Sequence, residues 1–349
     1  MARRAISPLT RAYQRNLKAL TKATLGSSKR IANQVQRAAA KQLKPPPGRG
    51  DWLPGVALGP AGARRYHLYR PPELQLKLGE KLPLVVMLHG CGQTGRDFAI
   101  STRMNRIAAR EGFMVLYPEQ DRIANAQGCW NWYDRRSGKA DAEAATLMAA
   151  IDQALMLYPL DRDRVALAGL SAGASMAALL ATRYPLRFKA VAMHSGVAPG
   201  AARSPATALG AMRGQHVPPM PATAVGKAMG AAAVFATLPP LLVLHGDADT
   251  VVSASNASST AAVWAVATGA RAGAMRTVQR GKRHPMRITD FTRRGRVAVT
   301  LCEIAGLGHA WSGGAPSMLF TDAAGPDASK LVWAFAARQF RLGAGERTP

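Results

Sequence analysis

Short, wholly apolar runs separated by helix-length amphipathic stretches constrain this chain more than any other feature. The runs at residues 84–88, 114–117, 165–168, 190–193, 241–244 and 297–304 are β-branched or leucine-rich throughout rather than alternating. That is the pattern of strands buried on both faces. Between them, residues 102–111, 142–157, 172–184, 257–268 and 329–340 predict helices. The alternation predicts an α/β domain with a mostly parallel central sheet and helices on both faces. No apolar run approaches the ~18 residues of a bilayer-spanning helix, since those at 82–88 and 228–238 stop short. In such sheets function lies beyond the carboxyl ends of the strands, so the loops there carry the search.

The loop after the run ending at Ala168 reads Gly169-Leu170-Ser171-Ala172-Gly173, a Gly-x-Ser-x-Gly elbow between a predicted strand and a predicted helix. So sharp a turn strains the central residue, and the flanking glycines relieve the crowding around it. Ser171 is thereby presented at a helix start, where the Ala172 N–H can stabilise an oxyanion. A protonated hydroxyl is a weak nucleophile, so a base and an orienting acid are also required. His245-Gly246-Asp247-Ala248-Asp249 follows the run at 241–244, and Gly306-Leu307-Gly308-His309-Ala310-Trp311 follows the run at 297–304. Serine, acid, histidine is the chain order of α/β-hydrolases. Asp247 and Asp249 compete for the acid role. Asp249 is preferred, because the chain must leave the strand through Gly246 before a side chain can turn toward His309, and Asp247 reads as a turn former. His194 and His245 end strands and read as packed, hydrogen-bonded histidines.

The second oxyanion donor is expected from the loop His89-Gly90-Cys91-Gly92-Gln93-Thr94, with the Cys91 N–H donating and His89 bracing the loop. No Cys-x-x-Cys or His-x-x-x-His spacing exists, so no zinc site is expected. Cys129-Trp130-Asn131-Trp132 gathers aromatic faces in one loop. Trp132 and Trp311 are read as walls of an ester-binding crevice, core packing being the other reading.

Together, the His89–Thr94, Cys129–Trp132, Gly169–Gly173 and His245–Val252 motifs and Gly308-His309-Ala310-Trp311-Ser312-Gly313-Gly314 resemble the esterase/poly(3-hydroxybutyrate) depolymerase family. The closest resemblance is to its type 1 short-chain-length polyhydroxyalkanoate depolymerases, and it spans about residues 65–340. It implies an α/β-hydrolase fold and serine ester hydrolysis by Ser171, Asp249 and His309, with Cys91 and Ala172 as the oxyanion hole. It implies no cofactor, and a poly- or oligo(3-hydroxybutyrate) substrate, with a feruloyl or acetylxylan ester as the alternative. It further implies a bridge between Cys91 and Cys129, which a reducing cytoplasm would oppose unless it were buried.

Charge is distributed unevenly. The formal net charge is +26, and residues 1–50 carry 12 Lys/Arg and no acidic side chain. Leu17, Leu20, Ile31, Val35 and Leu43 recur among these bases, predicting one or two basic amphipathic helices broken near Gly26. Pro45-Pro46-Pro47-Gly48 then marks a linker. Residues 1–50 are accordingly read as an arm and residues 51–349 as the catalytic domain. No secretory-leader pattern is visible, so the expected location is cytoplasmic, with the arm docked on a polyhydroxyalkanoate granule or another anionic partner. The extracellular location of secreted relatives is the alternative. A granule- or nucleic-acid-binding protein with a secondary hydrolase body is a weaker reading, because no recognised nucleic-acid-binding motif accompanies the charge. Residues 199–238, rich in Ala, Met and Pro, are read as a cap beside the active site. Residues 271–296, basic apart from Asp290, are read as a solvated loop, with Arg293-Arg294-Gly295-Arg296 a candidate hairpin tip.

Overall fold

The structure is a computed structural model that describes residues 44–72, 76–215 and 238–345. The chain divides into two units, Met1–Pro45 and Pro46–Pro349. The expected basic helices, and residues 216–237 of the expected cap, lie outside the described residues.

An antiparallel pair that the apolar pattern does not reveal opens the second unit: β1 (Asp51–Gly59) and β2 (Gly62–Arg70). Pro54 and Gly55 interrupt β1, and only Trp52 and Ala57 of that strand are buried, so it contains no apolar run. Every residue of β3 (Leu82–Leu88) is buried. The helix expected at 102–111 is instead two, α1 (Gly95–Thr102) and α2 (Met104–Glu111). Arg103 separates them at φ 56°, and its guanidinium donates to the Gly313 carbonyl. Thr94 and Asp97 form a reciprocal capping box at the start of α1.

The alternation continues as expected through β4 (Met114–Pro118), α3 (Lys139–Leu157), β5 (Leu160–Leu170), α4 (Ala172–Arg183) and β6 (Ala190–His194). The short α5 (Pro205–Met212), β7 (Leu241–Gly246) and α6 (Ser255–Thr268) follow. The basic segment read as a solvated loop is largely strand: β8 (Arg271–Ala272), β9 (Arg276–Val278) and β10 (Met286–Arg293). β10 pairs antiparallel with β11 (Arg296–Ile304). Arg294 and Gly295 turn the chain with φ of 49° and 74°, as a tight hairpin demands. Met286 and Ile288 are buried on one side of β10, which Asp290 shares, while Arg287 is exposed on the other. The minor strands β12 (Trp311–Ser312) and β13 (Thr321–Asp322) precede α7 (Ala328–Gly345).

The main sheet runs β1-β2-β4-β3-β5-β6-β7-β11-β10-β8, with β9 also on β10. β4, β3, β5, β6, β7 and β11 are mutually parallel, and the antiparallel strands lie at the two edges. Successive strand residues serve opposite layers. Val86, Leu116 and Leu167 pack with Leu147 of α3, Leu180 of α4 and Trp264 of α6. Val85, Val115 and Ala166 pack with Phe98 of α1, Ile107 of α2 and Phe335 of α7. This is the α/β-hydrolase architecture, with the carboxyl ends of the parallel strands gathered at one edge of the layers. No helix among the described residues is long and apolar enough to cross a membrane.

Candidate active site

Ser171 is the single residue between β5 and α4, and it adopts φ 56°, ψ −121°. A non-glycine residue there is strained and persists only where its surroundings hold it. The Ser171 N–H donates to the His194 carbonyl at 2.8 Å, and the Ser171 carbonyl accepts the first helical bond from Ser175 N at 3.1 Å. Gly173 is required because α4 crosses β3 so closely that an added Cβ would collide with the Leu88 carbonyl. The Ala172 N–H has no acceptor among the described residues, and it sits at the electropositive end of α4.

The acid and histidine loops are zipped together. Asp247 N donates to Ile304 O at 3.1 Å, Ala248 N to Leu307 O at 3.1 Å, and Gly306 N to Asp247 Oδ1 at 2.7 Å. Gly246 permits this approach, since a Cβ there would strike the Leu307 carbonyl. Asp247 thus clasps the two loops together, a larger role than the local turn expected of it. Asp249 is the residue that meets His309: Oδ2 accepts from His309 Nδ1 at 2.7 Å. Its other oxygen accepts the Val251 and Val252 N–H groups, both at 2.9 Å. His245 Nε2 donates to Val252 O at 2.9 Å and lies 3.3 Å from Asp249 Oδ2. Burial alone would raise the Asp249 carboxyl pKa. The hydrogen bonds from His245 and His309, the His309 charge and the Val252 N–H outweigh it and hold the group well below the usual carboxylate range. With Nδ1 donating to Asp249, His309 presents Nε2 as the basic nitrogen.

His194 links the nucleophile to the histidine loop. Its carbonyl holds Ser171 N, and its buried Nε2 accepts from Ser312 N at 3.1 Å. Burial, with the neighbouring His245 and His309 charges, pushes it down to about 3. It is a neutral, packed histidine, as the sequence suggests.

The loop after β3 lies against the elbow: a Cβ built on Gly90 would sit 3.6 Å from Ser171 Cβ. Gly90 N donates to Gln93 Oε1 at 3.0 Å and Gly92 N to Gln127 O at 2.9 Å, while the Cys91 N–H has no acceptor among the described residues. Cys91 and Cys129 are joined by a disulfide. His89 accepts from Gln120 N at 3.1 Å through Nε2, and its Nδ1 donates to Gly90 O at 2.8 Å. Trp130 Nε1 donates to His89 O at 3.0 Å. Spacing gives no hint of Glu143, a buried acid of α3. It accepts from Asn131 N at 2.8 Å and from Gln120 Nε2 at 2.7 Å, and so fastens the tryptophan loop. Only the three-dimensional path of that loop reveals it.

The two tryptophans differ. Trp132 is half-buried, packs edge-on to Tyr133, and lines a hollow of about 20 Å³ with Ser175, Leu179 and Val197. The described part of the expected cap adjoins it, where Ala208 and Ala211 of α5 cluster with Val197 and Val252. Trp311 is corrected from crevice wall to core. It is 1% exposed, stacks on His194, meets Phe98 edge-on, and donates from Nε1 to Ser329 Oγ at 3.0 Å. His309, two residues earlier, precedes the short strand β12 and reaches Asp249, whereas Trp311 begins that strand and is carried into the layer of Phe98 and His194. No group of His, Cys, Asp and Glu among the described residues could hold a metal ion.

Residues 64–281 match the model of the esterase PHB depolymerase family. The chain belongs to that family. The match contains Ser171 and Asp249, and His309 lies beyond it. Feruloyl esterase B of Neurospora crassa is 34% identical over 124 residues, 35% of this chain and 41% of that protein. Poly(3-hydroxyalkanoate) depolymerase C of Paucimonas lemoignei is 31% identical over 180 residues, 51% of this chain and 43% of that protein. Acetylxylan esterase A of Talaromyces purpureogenus is 25% identical over 259 residues, covering 69% and 62%. The alignments therefore span less than half the length of the first two relatives. The acetyl xylan esterase structure from Aspergillus awamori superposes with a TM-score of 0.58 at 20% identity, over 75% of this chain and 94% of that one. The fold is shared.

Proposed function

We propose that this protein is a serine carboxylic-ester hydrolase in which Ser171 is the nucleophile, His309 the general base and acid, and Asp249 the orienting carboxylate. The observation that carries the reading is the 2.7 Å bond from His309 Nδ1 to the buried Asp249, in a loop tied through His194 to the strained Ser171 elbow. Ser171 Oγ attacks the ester carbonyl as His309 Nε2 takes its proton. The oxygen of the tetrahedral intermediate is stabilised by the Cys91 and Ala172 N–H groups, fixed dipoles that need no reorganisation. His309 returns the proton to the departing alcohol, and the acyl-enzyme forms. Water, deprotonated by His309, then releases the acid and restores Ser171.

For substrate, we propose a short-chain poly- or oligo(3-hydroxybutyrate) ester, with Trp132 as a wall of the crevice. The depolymerase relative supports this. A feruloyl- or acetylxylan-type ester is the second reading, supported by the longer alignment to acetylxylan esterase A. Rates on amorphous polyhydroxybutyrate, p-nitrophenyl butyrate, methyl ferulate and acetylated xylan separate the two. Ser171→Ala should cut kcat on every active ester by at least about 10⁴-fold with folding intact. Near-normal turnover by that variant would sink the mechanism.

Residues 1–50 are proposed to dock the enzyme on an anionic surface, a polyhydroxyalkanoate granule first. Deleting them should spare soluble-ester hydrolysis and weaken granule attachment in a salt-dependent way. The Cys91–Cys129 bridge, which is not fully enclosed at Cys91, bears on location. It favours an oxidising compartment over the cytoplasm expected above. Thiol labelling of protein taken from its native compartment decides between them.

A further inference from the structure

We propose that the hollow between β9–β10 and the first turn of α7 is a second ligand site, for an aliphatic chain ending in a carboxylate. The cavity measures about 320 Å³, within the range of small-molecule sites. Its floor is apolar: Val278 of β9, Met286 and Ile288 of β10, and Leu331 of α7. Met286 and Ile288 are buried, so the floor is a built surface rather than a loop edge.

The rim is cationic, and its charges are incompletely compensated. Arg276 is paired with Asp290 at 2.7 Å, and Lys330 lies 3.7 Å from Asp327, the one acid among the residues lining the cavity. Arg283 donates to the carbonyls of Ala323 and Gly325, which orient its guanidinium without cancelling its charge. The Arg280 side chain has no polar partner among the described residues, its carbonyl alone accepting the Arg283 N–H at 3.2 Å. A neighbouring hollow of about 290 Å³ shares Arg283, Asp327 and Lys330 and adds Arg103, Arg106 and Arg110, so the positive field extends around the rim.

An apolar floor beneath a cationic rim is complementary to an amphiphilic anion. An inorganic anion would leave the floor wet, and a neutral alcohol would leave the guanidiniums uncompensated. A carboxylate on a short chain satisfies both through charge-assisted hydrogen bonds above and apolar burial below. His284 lines the cavity, with Nε2 3.1 Å from Asp322 Oδ2, and its ring lies 3.8 Å from a Cβ built on Gly306, in the loop that leads to His309. None of the lining residues belongs to the ester-cleaving machinery, so this site and the Ser171 mechanism stand or fall separately.

Titration calorimetry on the full chain tests the site with butanoate, hexanoate, octanoate, octan-1-ol and inorganic phosphate. Octanoate should bind saturably at one site, with affinity rising about fourfold per added methylene along the carboxylate series. Octanol and phosphate should each bind at least about tenfold more weakly, since each supplies half of the match. The surface double variant Arg280→Glu with Lys330→Glu should weaken octanoate at least about tenfold, and Leu331→Trp, which fills the floor, should abolish its binding with the rim intact. Ser171→Ala should bind octanoate as the parent does. Absence of saturable binding, binding that survives the double charge reversal, or phosphate or octanol binding as tightly as octanoate would overturn the proposal.

Discussion

Asp249 satisfies four donors at once, two backbone and two imidazole. Among the described residues, the Asp247 side chain, two residues earlier, holds only the Gly306 amide. Both sit in one short loop, and spacing alone separates them weakly; the contact 60 residues away decides. If Asp249 orients the base, Asp249→Asn should lower kcat by about 10⁴-fold with little change in KM. Asp247→Ala should cost about 1–2 kcal/mol of stability, as one exposed clasp is lost, and lower kcat less than about tenfold. Steady-state kinetics and urea unfolding of the two variants measure the contrast, and equal losses of kcat would count against Asp249. Ser171 was legible because a strained elbow needs its flanking glycines next to it in the chain. Trp311 was not, because a tryptophan beside a catalytic loop suits a crevice wall and a core equally, and only the packing of Phe98 and His194 around it determines which it joins.

At the scale of elements, the parallel strands were legible because burial on both faces leaves an unbroken apolar run. β1, β9 and β10 bury one side or less, and β2, buried on both sides from Tyr66 to Tyr69, mixes arginine and histidine into its run, so charge, histidine and glycine hide these strands in the sequence. The elbow tests how closely α4 must approach β3. Gly173→Ala should destabilise by more than about 3 kcal/mol, because the obstructing atoms are backbone and cannot swing away. A Tm within a degree of the parent would show that the crossing has slack. The disulfide tests the loop after β3. Its cysteines are 38 residues apart, so in the chain-entropy account Cys129→Ser should cost roughly 4 kcal/mol. Because the partner cysteine carries a proposed oxyanion donor, kcat should fall more than KM rises. Unchanged kcat in the folded variant would mean that the tryptophan loop, through Glu143 and Trp130, holds the donor unaided.

Over the whole molecule, acid sensitivity should arise from buried imidazoles rather than from the net charge of +26. Burial pushes His67 and His89 down to about 4 and His194 down to about 3, whereas in the unfolded chain each titrates near ~6.5. Between those values the unfolded state binds more protons, so stability falls as pH drops from about 6.5 toward 4. Near pH 5 unfolding should take up about three protons from these groups, a slope of about 4 kcal/mol per pH unit. Calorimetry in buffers of different ionisation enthalpy measures that uptake, and uptake below one proton would show that these rings are hydrated in the folded state. The sequence by itself determined the parallel strands, the order of the loops that follow them and the serine elbow, because strand burial and backbone strain are written in residues adjacent along the chain. Only the tertiary structure decided which aspartate meets His309, which tryptophan is core and how the basic edge strands pair. Those outcomes depend on hydrogen bonds and burial between segments tens of residues apart, which acquire their geometry only when the layers pack.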